Sequence, residues 1–196
     1  MRKVKTAVIG VGALGKHHLK WYSQMPQSQL VGFYDRDNEK CEKFSDEFNV
    51  RAFKSIAEIA AAAEAVSIAV PTTMHSEVAC ALIEKGVHCL IEKPIAANIK
   101  EAEKIRELAA NHKVKVTVGH IERFNPAMAA LDDIDIHPSF IEAHRLAAFD
   151  PRGTDVPVVL DLMVHDIDLA LHLIKSKVKE IQASAVAVIS DQADIA

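Results

Sequence analysis

The groups with the types and spacing for proton transfer sit in two segments, VVLDLMVHDIDLAL and IEKPIA. In the first, Asp161 and His165 are four residues apart, so on a helix they share a face, where a carboxylate and an imidazole can work as a proton-handling pair. Asp168 follows on a neighbouring edge. A merely solvated helix face fits poorly, because Leu160, Val164, Ile167 and Leu171 form an apolar stripe that the acids flank rather than oppose. In the second segment Lys93 stands between Glu92 and Pro94. A lysine there can hydrogen-bond a reacting oxygen and stabilise charge developing on it; its plain alternative is a surface lysine paired with Glu92.

A third group of residues binds rather than reacts. Gly10, Val11, Gly12, Ala13, Leu14 and Gly15 spell GxGxxG between a strand-like run and a helical stretch. The first glycine permits a tight turn, the second lets backbone approach a pyrophosphate, and the third allows close helix–strand packing. The helix start adds free N–H groups and a partial positive charge. Alone, this pattern is also that of any tight strand-to-helix turn. Asp35, at the end of the next strand-like run, supplies the second half of the signal: a carboxylate twenty residues beyond Gly15 can accept from ribose hydroxyls and repel a 2′-phosphate. That favours NAD over NADP, although Arg36 directly follows and could face a 2′-phosphate instead.

These residues need elements to position them. From Val4 to Val118 short apolar runs (VKTAVIG, QLVGFYD, VRAF, AVSIAV, VHCLIE, VKVTVG) alternate with helical stretches at Leu14–Met25, Asn38–Phe48, Ser55–Ala62, His75–Lys85 and Ile99–His112. That rhythm predicts a parallel sheet with helices on both faces, and so apolar runs rather than strict alternation. Ligands of such a sheet lie outside the carboxyl ends of the strands. Pro71 and Thr72 are therefore expected beside a bound nicotinamide, and Glu92 and Lys93 at the same edge. His75 opens the following helix, as a cofactor contact or an ordinary first-turn residue.

After Gly119 the rhythm changes. A helix over Phe124–Leu131, a strand SFIEAHRLAAF, a loop DPRGTDVP, a helix over Leu160–Ile174 and a strand EIQASAVAVIS are expected. The fold class is thus α/β: a Rossmann-type domain at 1–119, then the start of an α+β domain at 120–196, too few strands to make a sheet that stands alone. In GHIERFNPA, Arg123 is a candidate donor to a phosphate or carboxylate, or an interdomain tie, and Asn125 a helix cap or substrate contact.

Composition narrows the function. The chain has 196 residues, 49% apolar and 26% charged, with a net charge of −4, and no basic block or aromatic series to hold nucleic acid. No apolar run is long enough to span a membrane. Cys41, Cys80 and Cys89 suit neither a disulfide framework nor a zinc site, and no histidine pair has metal-ligand spacing with a third ligand nearby. A cytoplasmic protein with reduced thiols and no bound metal is expected.

Together, GxGxxG at Gly10–Gly15, EKP at Glu92–Pro94 and the D-x-x-x-H pair at Asp161 and His165 resemble the Gfo/Idh/MocA family of nicotinamide-dependent sugar oxidoreductases. The resemblance runs over nearly the whole chain. It implies that Lys93, Asp161 and His165 are the catalytic set, with His165 as base, Lys93 on the same oxygen and Asp161 in support. VGHIERFNPA and VVLDLMVHDID look particularly like the branch that oxidises the 3-hydroxyl of UDP-N-acetylglucosamine, which implies a nucleotide-sugar substrate with Arg123 as a diphosphate contact. Inositol or a simple aldose is the alternative substrate, and a non-catalytic NAD-binding sensor the alternative outside enzymes. Family members usually continue into an open antiparallel sheet that covers the site and forms the oligomer interface. This chain stops after the second expected strand of that sheet, so a partial domain is expected, homo-oligomeric if the sheet is completed. Pro157, Val158 and Val159 also stand where the family often has glycines.

Overall fold

The computed structural model describes residues 2–131, 134–147 and 156–196. The chain divides into two compact units, Met1–Gly119 and His120–Ala196.

In the first unit, strands β1 (Val4–Ile9), β2 (Ser28–Tyr34), β3 (Arg51–Ala52), β4 (Ala65–Ile68), β5 (His88–Ile91) and β6 (Val116–Val118) alternate with helices α1 (Gly15–Gln24), α2 (Asn38–Phe48), α3 (Ile56–Ala62), α4 (His75–Ile83) and α5 (Ile99–His112). All strand pairs are parallel, in the order β3-β2-β1-β4-β5-β6. This is the doubly wound Rossmann arrangement, with its switch point between β1 and β4. Helices on both faces exclude water from the strands: Ala7, Val8, Ile68 and Ile91 are fully buried, with Leu19 of α1 on one side and Leu82, Ile83 and Ile105 of α4 and α5 among the rest of the core. Side-chain caps fix three helix starts: Asp37 accepts from Glu39 and Lys40, Ser55 from Glu58, and Asn98 from Glu101. Cys80 and Cys89 are buried free thiols, and burial pushes Cys89 up to about 12.

Register decides what the sheet offers to a ligand. Tyr34, Ile9, Ile68, Ile91 and Val118 lie side by side across neighbouring strands. The next residue of each strand, Asp35, Gly10, Ala69, Glu92 and Gly119, therefore forms one row along the carboxyl edge. Backbone bonds carry the ladder into that row, from Gly10 N–H to Tyr34 O, Ala69 N–H to Ile9 O, Glu92 N–H to Ile68 O and Gly119 N–H to Ile91 O, at 2.8–3.0 Å.

The second unit holds a 3₁₀ turn (Ile121–Phe124), a short helix α6 (Pro126–Ala129), a π-helical turn (Val159–Met163) and α7 (Val164–Leu173). The expected helix over Phe124–Leu131 is thus a 3₁₀ turn and a single α turn, broken at Asn125–Pro126, where proline supplies no N–H. The two expected strands do not form: the described residues of SFIEAHRLAAF and EIQASAVAVIS have no ladder, only one antiparallel bridge between Val186 and Ile195. A strand exists by pairing, and among the described residues neither segment meets a partner strand. Within the loop DPRGTDVP, residues 150–155 lie outside the described residues.

Candidate functional site

The glycine loop begins where β1 leaves the sheet. Gly10 has φ +83°, and a Cβ on it would lie 2.6 Å from the Ala69 carbonyl oxygen, so both the turn and the approach of β4 need glycine. At Gly15 an added Cβ would overlap the Gly10 carbonyl oxygen, so α1 starts pressed against the turn. Gly12 differs: a Cβ there would meet nothing within 4 Å. Its α-carbon faces the open cleft. Among the described residues no hydrogen bond uses the N–H of Gly12, Ala13 or Leu14. Consecutive unspent N–H groups at a helix start form a cradle for an anion such as a pyrophosphate.

Asp35 closes the other side of the cradle. Its Oδ2 accepts from Val11 N–H at 2.7 Å and its Oδ1 from Asp37 N–H at 2.9 Å. The carboxylate is thereby fixed against both the glycine loop and the start of α2. A cleft of about 290 Å³ opens beside it, lined by Gly10, Gly12, Asp35, Arg36, Pro71 and Met74 among others. Lys40 also lines it, and lies outside the sequence-based set because its only signal is a position in the first turn of α2. Its Nζ is 3.0 Å from Asp37, whose carboxyl the Lys40 bond holds below the usual range. Thr72 is buried in the 3₁₀ turn Thr72–Met74 that follows Pro71.

Glu92 and Lys93 follow β5, and the Lys93–Pro94 peptide is cis. Glu92 is buried, its Oε1 2.8 Å from His18 Nε2 and its Oε2 accepting from Lys93 N–H at 3.3 Å. Burial alone would raise the Glu92 carboxyl, but the hydrogen bond and charge of His18, then the Lys93 N–H and charge, outweigh it and hold the group below its ordinary value. Gly119 makes room for this carboxylate, since a Cβ there would come within 3.1 Å of Oε2. His75, expected as a cofactor contact or an ordinary first-turn residue, is 1% exposed. Its Nδ1 lies 2.8 Å from Pro94 O and its Nε2 2.9 Å from Val70 O. Both partners are carbonyl acceptors and a neutral imidazole has one N–H, so the ring sits between two loops and donates to one of them per tautomer, instead of facing open space. His18 escaped the sequence reading, although a polar residue in the first turn after a phosphate loop, within reach of the β5 edge, was a usable signal.

In the second unit Asp161 lies in the π-helical turn and His165 in the first turn of α7. The helix expected over Leu160–Ile174 forms, its first turn π-helical and running without a break into α7; such turns occur frequently at functional sites. Arg123 is held by Asp168: its Nε donates to Oδ2 at 2.7 Å and its Nη2 to Oδ1. The Arg123 bonds hold Asp168 below the usual carboxylate range against the opposing effect of burial, with the charge of His120 adding to the lowering. Asn125 caps α6, accepting from Ala127 N–H at 3.0 Å, the first of its two sequence readings. Arg145 likewise grips Asp166 with two bonds of 2.8 Å.

The first unit thus has the cradle, the fixed acid and the switch-point cleft of a dinucleotide-binding fold. Residues 4–120 match the model of an oxidoreductase family with an NAD-binding Rossmann fold, and the chain belongs to that family. It is 40% identical, over its whole length and 62% of the relative's, to the UDP-N-acetylglucosamine 3-dehydrogenase of Acidithiobacillus ferrooxidans. A solved structure of that dehydrogenase superposes with a TM-score of 0.91 over 99% of this chain and 64% of that one. The inositol 2-dehydrogenase of Rhizobium meliloti is 28% identical over 97% of this chain and 60% of its own length. The chain spans less than two thirds of the length of these relatives. Among the described residues no helix is long and apolar enough to cross a membrane.

Proposed function

We propose that the chain serves an NAD-dependent dehydrogenase activity that moves a hydride between nicotinamide and a sugar hydroxyl carbon, C3 of a UDP-N-acetylhexosamine. The observation that carries this reading is the 40% identity to a UDP-N-acetylglucosamine 3-dehydrogenase over the whole of this chain. It favours the nucleotide sugar over inositol, whose dehydrogenase is 28% identical.

Bound NAD supplies the hydride acceptor. The chain's own residues hold it and manage the proton. The N–H groups of Gly12, Ala13 and Leu14 receive the pyrophosphate, and the fixed Asp35 carboxylate accepts from the adenosine ribose and repels a 2′-phosphate. NAD is therefore preferred to NADP even with Arg36 nearby. Lys93 hydrogen-bonds the reacting oxygen and stabilises its developing charge, His165 removes the hydroxyl proton, and Asp161 supports the pair electrostatically. Arg123 is oriented by Asp168 through Nε and Nη2, and its remaining guanidinium N–H groups are the candidate contact to the diphosphate. The expected setting is the cytoplasm, with a homo-oligomer where the antiparallel sheet is completed.

The test follows nicotinamide reduction with NAD or NADP against UDP-N-acetylglucosamine, free sugars and inositol. Reduction with NAD and the nucleotide sugar is the expected result. Reduction with inositol alone overturns the substrate assignment, and NAD binding without reduction of any substrate supports the sensor reading for this chain.

A further inference from the structure

Lys93 has a histidine fixing the residue on each side of it. On one side the Glu92 carboxylate, buried at 9% exposure, meets His18 Nε2 at 2.8 Å and turns back to accept from the Lys93 N–H at 3.3 Å. On the other, the Pro94 carbonyl oxygen lies 2.8 Å from His75 Nδ1, while the opposite ring nitrogen is 2.9 Å from Val70 O. The helices carrying these histidines both begin at the cofactor cleft. His18 is in the first turn of α1, directly after the glycine loop, and His75 opens α4 after the Pro71–Thr72 turn. Both contacts are shielded from solvent. His75 is 1% exposed, the His18 side chain is 18% exposed, and Gly119 leaves out a Cβ where the Glu92 carboxylate has to fit.

We propose that His18 and His75 are positioning residues that clamp the Glu92–Lys93–Pro94 segment from both sides and tie the place of Lys93 to the two loops lining the cofactor cleft. The proposal rests on the reading of Lys93 as the group that holds the reacting oxygen. Shifting such a group by about 1 Å is enough to lower turnover by up to about a hundred-fold, so a main chain pinned at both neighbours has a direct kinetic consequence.

Variants matched to each nitrogen test the clamp in the full 196-residue chain. His18→Leu removes the donor to Glu92, whereas His18→Gln returns an amide donor at nearly the same reach. His75→Asn keeps a donor at the Nδ1 position for Pro94, whereas His75→Gln keeps one at the Nε2 position for Val70. Amide hydrogen exchange of the segment 90–97 is the first readout, because it reports opening of that segment without requiring turnover. Faster exchange there in His18→Leu and His75→Gln, with near-native exchange in His18→Gln and His75→Asn and an unchanged α5, is the expected pattern. Turnover should fall by about ten-fold or more in the first two variants, with NAD affinity unchanged and recovery in the matched pair. Native exchange in His18→Leu overturns the proposal. So does equal loss in His18→Leu and His18→Gln, which would show that the ring serves only as packing. The two readings fail separately: unchanged turnover in Lys93→Met removes the role of Lys93, while the exchange pattern judges the clamp.

Discussion

The two units are held together by different forces. In the first, apolar strand runs lie between helices and the core is almost fully dry, with Ile68, Ile91, Leu82 and Ile105 at 0% exposure. In the second, among the described residues only Val156 and Asp168 are buried, while Phe140, Leu146 and Ile181 stand 78%, 95% and 81% exposed. Its organisation comes from charged pairs, Arg123 on Asp168 and Arg145 on Asp166, and from the Asn125 cap. A dry core resists acid and salt and is sensitive to lost volume; a polar scaffold has the opposite profile. The cofactor cradle is built on the first kind of structure, and the Asp161–His165 pair on the second.

That contrast can be broken in order of expected effect. Lys93→Met should lower turnover by about 10³-fold or more if the group stabilises a developing oxyanion, and NAD titration should find the affinity unchanged, since the cradle lies on other residues. Ile68→Ala should destabilise the first unit by about 2–5 kcal/mol through the cavity it leaves, measured by urea unfolding, while Phe140→Ala at an exposed site should stay within about 0.5 kcal/mol. Asp168→Ala should cost about 1.5 kcal/mol, the lower end for hydrogen bonds to charge because the Arg123 partner is half-exposed. It should open the second unit in exchange experiments while leaving β1 and β4 protected. A smaller loss than that of Asp168→Ala, about 1 kcal/mol, is expected for Ser55→Ala, which removes the α3 cap.

The acid response sharpens the same contrast. Asp168 and Asp166 are held below their ordinary value, first by their arginine hydrogen bonds. A depressed folded-state value means that the stabilisation is complete above the unfolded value of about 3.9 and is lost as pH falls through the folded one. Exchange protection of α7 should therefore decline below roughly pH 4, and Asp168→Asn should flatten that decline.

What was legible in the sequence follows from the same physics. The strands and helices up to Val118 were readable to within about two residues because burial on both faces writes itself as apolar runs, and caps such as Asp37 and Asn98 mark the helix starts. Gly10, Gly12, Gly15 and Asp35 were legible because a motif and its spacing locate them on known edges of the sheet. His75 stood out as the residue that opens α4 and His18 only by its place after the glycine loop, but their contacts were not legible, since Glu92 and Pro94 lie far from them in sequence. The segments SFIEAHRLAAF and EIQASAVAVIS read as strands because their residues favour extended backbone, yet pairing is a tertiary condition that propensity does not supply. The π turn at Val159–Met163 was hidden for a related reason: an extra residue in a helix leaves the apolar spacing almost intact.

The most direct measurement is a calorimetric titration of the chain with NAD and NADP, repeated with Gly12→Val. One NAD per chain, weaker binding of NADP and loss of both in the valine variant are predicted, because the added side chain enters the space the pyrophosphate needs, from a position where a Cβ meets nothing of the protein within 4 Å. Absence of NAD binding, or equal binding by Gly12→Val, would contradict a dinucleotide site at the carboxyl edge of this sheet.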